Sequence, residues 1–308
     1  MAHDVIGDVH GHADRLEALL RALGYQHKKG AWRHPERTAL FVGDLIDRGA
    51  HQVRTLQIVR SMVEAGSARA VMGNHEFNAI AWATSDPLNL EHYLRPRHGE
   101  KGEKNRRQHQ AFLADVGEDT PEHRDWIAWM AELPVWIEEA GFRVVHACWS
   151  PAHVEELRPN LRDGNRLTLE TVERASRIGH KAYTAIETLL KGEEVRLPVG
   201  VTFADKDGNE RSEIRTKWWD ASLTTYRAAC VGLNPELVPD QVIADRIPIP
   251  SPDRPTFIGH YWLHPETKLM PRSDLVACVD YSAGKGGPLV AYRFDGEPVL
   301  SADKFIAA

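Results

Sequence analysis

Five short apolar segments of the sequence each end next to a side chain that could bind a metal ion. Each segment is rich in Val, Ile, Leu or Phe and usually ends in glycine. The side chains that follow the five segments are Asp8, Asp44, Asn74, His146 and His260, and His10 lies two residues after Asp8. These oxygen and nitrogen donors, without a thiolate, suit manganese, iron or zinc. Six donors exceed the needs of one tetrahedral zinc ion. They suit two ions that lie about 3.5–4 Å apart and share a carboxylate.

The segments that carry these donors are typical of buried strands. Runs of four to six apolar residues indicate strands covered on both faces, and glycine at the strand end allows a sharp turn. Amphipathic stripes indicate helices between the strands, at Leu16, Leu19, Leu20 and Leu23 and again at Val53, Leu56, Val59 and Val63. Strand–helix–strand units of this length predict parallel pairing with right-handed crossovers, and open α/β sheets place their sites at the carboxyl ends of such strands.

The second half of the chain predicts one longer helix and then more strands. Apolar residues at helical spacing predict a helix near residues 166–191. Beyond it, Val199–Phe203 and Glu213–Thr216 flank Asp207-Gly208, a hairpin turn signal. Because the candidate donors extend from residue 8 to residue 260, we predict a single α/β domain over residues 1–308, with insertions at about 85–135 and 155–215.

Composition excludes several classes of protein. The chain has 308 residues, a formal charge of −6 and 42% hydrophobic residues, which excludes a disordered chain and a collagen-like repeat. No apolar run reaches 18 residues, so no membrane span is predicted. Cys148, Cys230 and Cys278 are too few and too scattered for a disulfide framework, which together with the lack of an apolar N-terminal signal favours a cytoplasmic location. The mild acidity argues against a general nucleic-acid binder and leaves nucleic acid only as a possible substrate.

Three sequence blocks carry a family resemblance. They are Gly7-Asp8-Val9-His10-Gly11, Gly43-Asp44-Leu45-Ile46-Asp47-Arg48-Gly49 and Gly73-Asn74-His75-Glu76. They resemble the signature blocks of the calcineurin-like, PPP-type binuclear metallophosphoesterases, and His146 and His260 follow in the family's order. The stretch from Val279 to Gly287 resembles the bacterial branch that contains symmetrical diadenosine tetraphosphatases and bacterial serine/threonine protein phosphatases. The resemblance implies a four-layer α/β/β/α sandwich with helical and β-hairpin insertions.

The resemblance also implies two divalent or trivalent metal ions, with Mn²⁺ preferred and Fe or Zn left open. One ion would be held by Asp8, His10 and Asp44, with Asp44 as the bridge to the second ion. Asn74, His146 and His260 would complete the second site. A hydroxide held between two cations is a nucleophile at neutral pH, and it would attack phosphorus in line without a phospho-enzyme intermediate.

Further residues acquire roles from the same resemblance. His75 would protonate the leaving oxygen, and Asp47 would orient its imidazole. Arg48 would grip phosphoryl oxygens through its planar fork, and Arg215 is a candidate for a second cationic clamp. Tyr261 and Trp262 follow the last candidate ligand and could form a wall of the pocket. An exposed hairpin charge for Arg215 and ordinary aromatic packing for Tyr261 remain open alternatives.

Several questions of substrate and partner stay open. A phosphoprotein, a nucleotide or dinucleoside polyphosphate, and a nucleic-acid end are competing substrates, and the oligomeric state is unknown. A basic segment from Tyr93 to Gln110 could steer anionic substrates or be an ordinary solvated loop. The alternative from another functional class is a catalytically inactive phosphatase fold that serves as a binding or scaffold protein.

Overall fold

The computed structural model describes residues 2–204, 210–244 and 248–308. Its helices are α1 (Ala13–Ala22), α2 (Gln52–Glu64), α3 (Asn74–Ala83), α4 (Gly99–Val116), α5 (Pro121–Met130), α6 (Pro151–Leu157), α7 (Leu169–Ala175), α8 (Lys181–Lys191) and α9 (Tyr226–Ala229). Its strands are β1 (Ala2–Ile6), β2 (Gln26–Lys28), β3 (Ala31–Arg33), β4 (Arg37–Phe41), β5 (Ala68–Ala70), β6 (Ser85–Asp86), β7 (Asn89–Tyr93), β8 (Trp136–Glu138), β9 (Arg143–Val145), β10 (Leu161–Arg162), β11 (Arg166–Leu167), β12 (Glu194–Arg196), β13 (Phe203–Ala204), β14 (Glu210–Arg211), β15 (Glu213–Arg215), β16 (Thr256–Ile258), β17 (Val276–Cys278), β18 (Val290–Phe294) and β19 (Phe305–Ala307).

The first large sheet has five strands in the order β19-β18-β1-β4-β5. β1 pairs in parallel with β4, and β4 pairs in parallel with β5. Helix α1 lies between β1 and β4 along the chain, and α2 lies between β4 and β5. The predicted parallel strand–helix–strand units are therefore confirmed. β18 and β19 add antiparallel strands on the other side of β1.

The second large sheet has four strands in the order β17-β16-β9-β8. β16 pairs in parallel with both β9 and β17, whereas β8 runs antiparallel to β9. The carboxyl ends of β9 and β16 carry the two later predicted histidines, so both sheets contribute to the candidate site.

Neighbouring residues of the inner strands face opposite sides, because side chains alternate along a strand. One hydrophobic cluster takes residues from both large sheets, including Val5, Leu40, Val144 and Phe257. The next residue of each strand lies in a second cluster, whose strand members include Ile6, Phe41, Val145 and Ile258. This second cluster also contains helix residues, among them Leu16 of α1, Leu56 of α2 and Ile186 of α8. The sheets thus pack on each other through one face and against helices through the other, which is the implied four-layer sandwich.

The prediction of one long helix over residues 166–191 was wrong. The segment forms β11, α7 and α8. Helix α7 ends at Ala175, and Gly179, with a positive φ of 89°, lies in the turn that follows. His180 then starts α8 by accepting a hydrogen bond from the Ala182 amide on its side chain. The amphipathic stripe is continuous through this break, and for that reason the sequence pattern did not reveal it.

The predicted hairpin after residue 199 is built differently. β12 pairs with β15 and β13 pairs with β14, so most of the predicted strand Val199–Phe203 lies outside the regular strands. The Asp207-Gly208 turn signal lies outside the described residues. Within 2–204, 210–244 and 248–308, no helix is both long and apolar enough to cross a membrane.

Candidate metal centre

The six predicted donors lie just beyond the carboxyl ends of five strands. Asp8 and His10 follow β1, Asp44 follows β4, Asn74 opens α3 after β5, and His146 and His260 follow β9 and β16. The side chains are buried apart from Asn74, which is half-buried. Parallel strands from two packed sheets therefore bring distant segments of the sequence to one edge of the sandwich.

The backbone at this edge adopts an uncommon conformation. Positive φ angles occur at His10 (48°), Asp44 (50°), Asp47 (70°), Arg48 (75°) and His260 (69°). Residues other than glycine rarely adopt a positive φ, because this backbone conformation costs roughly 1–3 kcal/mol. It persists only where the surrounding structure enforces it. Five of the predicted site residues share it, so the fold holds this region in conformations selected for the position of the side chain.

Two glycines are required by close approach. A Cβ atom on Gly73 would lie 2.3 Å from Oδ1 of Asp44, and one on Gly259 would lie 2.0 Å from Oδ1 of Asp8. Both distances are far below van der Waals contact, so only glycine lets these loops touch the carboxylates.

Asp44 is the residue shared by the two halves of the centre. Its Oδ2 atom lies 3.7 Å from Nε2 of His10 and 3.3 Å from Nε2 of His146. Oδ1 of Asn74 lies 3.2 Å from Nε2 of His146 and 2.8 Å from Nδ1 of His260. Two groups of potential ligands result, His10 with Asp44 and His75, and Asp44 with His146 and His260.

Asp8 lies beside these groups and not within either of them. Its Oδ2 atom accepts a hydrogen bond of 2.9 Å from the backbone N–H of His260. Its Oδ1 atom is buried and has no hydrogen-bond partner among the described residues. The structure thus joins the β1 and β16 loops through Asp8, while the first ligand group contains His75 in the place where Asp8 was expected.

The unpaired atoms of the centre suit cations. His10 donates its Nδ1–H to the carbonyl of Ile46 at 2.9 Å, and His146 donates its own to the carbonyl of Val42 at 2.7 Å. These bonds leave the lone pair of each Nε2 atom directed away from the backbone, as in metal-binding histidines. Within the described residues, Nε2 of His10 and of His260 and Oδ1 of Asp8 are buried without partners. Such burial is costly without a partner, so the donor set fits metal ions.

Burial and neighbouring charges set the protonation of this region. Burial lowers the pKa of His10 to about 4, which keeps its imidazole neutral. Burial alone would raise the pKa of Asp44, but His146 and His75 hold that pKa well below its usual range. Burial and then the charges of Asp280 and Asp44 raise the pKa of Asp8.

His75 and Asp47 form a second unit next to the ligand groups. Nδ1 of His75 lies 2.5 Å from Oδ2 of Asp47, and its Nε2 lies 3.9 Å from Oδ2 of Asp44. Burial would lower the pKa of His75, but the charges of Asp44 and Asp47 outweigh it and raise that pKa. The imidazole is therefore held by one carboxylate while its other nitrogen faces the candidate ligands.

His109 completes this unit and was not predicted from the sequence. Nδ1 of His109 lies 2.9 Å from Oδ1 of Asp47, so each oxygen of this buried carboxylate meets one imidazole. Burial would raise the pKa of Asp47, but His109 and His75 lower it. A signal did exist: Asn105, His109, Phe112 and Val116 repeat at helical spacing and are all buried on one face of α4.

Glu76 is a further residue whose contacts the sequence did not predict. Its Oε2 accepts hydrogen bonds from the backbone N–H groups of Gly73 (2.8 Å) and Asp44 (2.9 Å), and its Oε1 accepts one from Leu45 (2.8 Å). This fully buried carboxylate therefore ties the start of α3 to the loop that carries Asp44.

The predicted substrate-binding residues differ in their exposure. Arg48 is exposed, and its charge acts on the imidazole of His75. Arg215 is half-buried on β15, has its Nε 3.3 Å from Glu194, and its charge helps lower the pKa of His260 after the larger effect of burial. Tyr261 is only 4% exposed and packs edge-on against Trp219, so its contact with a substrate remains a prediction.

Part of the basic segment from Tyr93 to Gln110 is paired within the protein. Arg97 binds Asp119 through two hydrogen bonds, and Arg106 binds Glu118 in the same way. Arg95 donates to Asn78 and Gln108 and is half-buried. These three arginines hold α4 and its flanking loops together, and a steering role for the segment remains a prediction.

Solved structures and curated proteins show partial similarity to the chain. A cold-active protein-tyrosine phosphatase of a psychrophilic Shewanella species is 19% identical, with a TM-score of 0.47 over 97% of this chain and 80% of that one. The bis(5'-nucleosyl)-tetraphosphatase PrpE (asymmetrical) of Halalkalibacterium halodurans is 47% identical over 95 residues, and its Bacillus subtilis counterpart is 38% identical over 95 residues. Each match covers 30% of this chain and 39% of the relative, so the chain spans about two fifths of the length of these relatives.

The family profile described as calcineurin-like phosphoesterase matches residues 3–162, just over half of the chain. This range contains the three signature blocks and His146. The chain belongs to the calcineurin-like phosphoesterase family.

Proposed function

We propose that the protein is a metal-dependent hydrolase of phosphoric ester or anhydride bonds. The observation that carries the proposal is the position of Asp44, whose Oδ2 lies within 4 Å of imidazole nitrogens of both His10 and His146. A shared carboxylate between two groups of neutral donors is what a pair of cations requires. Family membership and the buried, unpaired donor atoms support the same reading.

The proposed ligand sets follow the expectation from the sequence. Asp8, His10 and Asp44 would hold one ion, and Asp44 with Asn74, His146 and His260 would hold the other. Bound cations would supply Lewis-acid activation of a water molecule at neutral pH and would neutralise phosphoryl charge. Mn²⁺ is the proposed ion, with Fe and Zn as alternatives that the same donors accept.

The remaining roles belong to side chains around the ligands. His75, held at its Nδ1 by Asp47, would carry a proton to the leaving oxygen of the substrate. His109 would fix Asp47 from the other side. Arg48 and Arg215 would bind non-bridging phosphoryl oxygens, since a guanidinium fork matches their geometry. Tyr261 is proposed as part of the wall behind His260.

A nucleotide or polyphosphate is the proposed substrate class, with a phosphoprotein as its closest competitor. The curated relatives carry the name of a dinucleoside tetraphosphatase, and exposed Arg48 beside the centre suits a highly charged substrate. We further propose that residues 1–308 form one domain with insertions at about 85–135 and 155–215, because residues from both large sheets meet in one site.

Parallel turnover assays test this function. Purified protein loaded with Mn²⁺ is offered p-nitrophenyl phosphate, its bis ester, diadenosine tetraphosphate, a phosphopeptide, and oligonucleotides with 3′- or 5′-phosphate ends. We expect turnover that a chelator abolishes and Mn²⁺ restores, fastest with the dinucleotide. Absence of turnover on every substrate with two bound ions per chain would favour the scaffold alternative.

A further inference from the structure

Trp262 gathers two cationic side chains beside the candidate metal centre. Its ring stacks on that of His10, with centroids 5.0 Å apart and planes inclined by 25°. Nζ of Lys285 lies 4.4 Å from the centroid of the Trp262 ring, and Cζ of Arg48 lies 5.7 Å from it. Cations within about 6 Å of a tryptophan ring are attracted by its electron-rich face. Charges from two remote parts of the chain are thus concentrated next to a candidate ligand.

The two loops that carry Trp262 and Lys285 are fixed to one another. Buried Asp280 accepts the backbone N–H of Trp262 at Oδ2 (2.6 Å) and that of Ser282 at Oδ1 (2.9 Å). The hydroxyl of Ser282 donates to the carbonyl of Leu263 at 2.9 Å. These bonds place Lys285, three residues beyond Ser282, over the ring.

Close packing limits the freedom of the Lys285 loop further. A Cβ atom on Gly284 would lie 2.8 Å from Cδ2 of His10 and 2.9 Å from Cη2 of Trp262. The backbone next to Lys285 therefore touches both rings of the stack. Trp262 itself has a positive φ of 49°, a backbone conformation that residues with a side chain rarely adopt.

His10 connects this cluster with the site of proton transfer. Its ring stacks on Trp262 and meets the ring of His75 edge-on, with the His10 and His75 centroids 4.9 Å apart, and the Arg48 guanidinium lies over the same Trp262 ring as the Lys285 ammonium. If His75 protonates the leaving oxygen, the further phosphate groups of that leaving group would lie next to this ring and within reach of Lys285. A histidine and two cations already contact the ring, so the ring holds charge in place and is not an open surface for a nucleobase.

We propose that Lys285, held over Trp262 beside Arg48, forms a subsite for the phosphate groups that lie beyond the reacting phosphorus in an oligophosphate leaving group. The inference rests on the proposed function and narrows it, because such a subsite favours oligophosphate anhydrides over simple monoesters. Phosphate oxygens are well matched to guanidinium and ammonium donors.

The test compares four full-length proteins loaded with Mn²⁺: wild type, Lys285→Gln, Lys285→Arg and Lys181→Gln. Lys181 is the matched control, since its side chain is 81% exposed at the start of α8. For each protein, kcat/KM is measured with inorganic tripolyphosphate and with p-nitrophenyl phosphate. We expect Lys285→Gln to lower the ratio of the tripolyphosphate value to the p-nitrophenyl phosphate value by about tenfold or more, the scale of one charge-assisted phosphate contact. Lys285→Arg should restore the ratio and Lys181→Gln should keep it.

Two further measurements separate the possible outcomes. Diadenosine tetraphosphate should lose as much as tripolyphosphate in Lys285→Gln, and a loss confined to the dinucleotide would indicate a base contact and overturn the phosphate subsite. Calorimetry with a methylene-bridged triphosphate should show weaker binding to Lys285→Gln, and equal binding would also overturn it. If the wild type hydrolyses none of the substrates but Lys285→Gln still binds the analogue more weakly than the wild type does, the proposed function is rejected and the subsite stands. Hydrolysis with an unchanged ratio would reject the subsite alone.

Discussion

The imidazole of His109 lies 2.9 Å from Oδ1 of Asp47, although 62 positions separate the two residues in the chain. The other oxygen of Asp47 lies 2.5 Å from Nδ1 of His75. The backbone N–H of Asp47 donates to Oε1 of Gln52 at 2.7 Å. Asp47 is therefore fixed from three directions. A carboxylate that cannot rotate keeps the attached His75 ring in one orientation.

Replacement of His109 by Leu should reduce kcat by about tenfold. Loss of one hydrogen bond to a charged group costs roughly 1.5–3 kcal/mol, and we expect part of this free energy to be lost from the positioning of Asp47. Metal content and KM should stay at their wild-type values. In a His75→Asn background the same change should cost nothing more, since its effect passes through His75. His123→Leu is the control, because His123 is equally buried and lies close to His109 through Phe112. Additive losses in the double variant would contradict a positioning role.

Replacement of His75 by Asn should lower kcat by about 10²–10⁴-fold, the usual contribution of a general acid. The bound metal should remain, as measured by elemental analysis. The loss should shrink for aryl phosphates whose leaving group is a weak base, because these need little protonation. A wild-type rate on a strongly basic leaving group would remove His75 from this role.

Replacement of Asp44 by Asn should lower metal content and activity together. A single carboxylate near both ligand groups serves both ions, so we expect fewer than about one equivalent of Mn²⁺ where two can be bound. Asp47→Asn is the matched control, a buried carboxylate in the same loop that should retain the metal. Two firmly bound ions in Asp44→Asn would show that the bridge lies elsewhere.

Replacement of Arg215 by Ala should raise KM for phosphate esters by about tenfold or more, since an arginine–phosphate contact contributes roughly 1.5–3 kcal/mol. Arg196→Ala on the paired strand is the control, because Arg196 is exposed and lies two residues from Glu194, the ion-pair partner of Arg215. Equal KM values for the two variants would favour the alternative of an exposed hairpin charge.

Removal of metal with a chelator should lower the melting temperature, and Mn²⁺ should restore it. Ions that bind only the folded chain stabilise it by about 2.7 kcal/mol when free metal exceeds Kd a hundredfold. The chelated protein must also keep Asp8, Asp44 and Asp280 close together without a cation, and their mutual repulsion contributes to the raised pKa of Asp8. Scanning calorimetry of wild type and Asp44→Asn checks this, and an unchanged melting temperature in wild type would contradict it.

The positions of the candidate donors were predictable because each is encoded locally. Asp8, Asp44 and Asn74 each follow a short apolar strand and a glycine, and strand ends of parallel sheets converge. His109 is encoded differently: it lies inside α4 on a face of ordinary packing residues, and only the docking of that helix brings it to Asp47. The break between α7 and α8 was missed for a related reason. The apolar stripe continues past Gly179, whereas the helical backbone ends at Ala175 and begins again at Lys181.

The three backbone N–H groups bound by Glu76 have a consequence for how the protein acquires its ions. Glu76 fastens the Asp44 loop to the first turn of α3 through hydrogen bonds within the protein, so we expect the two segments to keep their relative position whether or not the proposed ions are bound. Binding of those ions would then exchange hydration water for donors already in position, with little rearrangement of the chain. Replacement of one bound ion by another would likewise not require the chain to fold again.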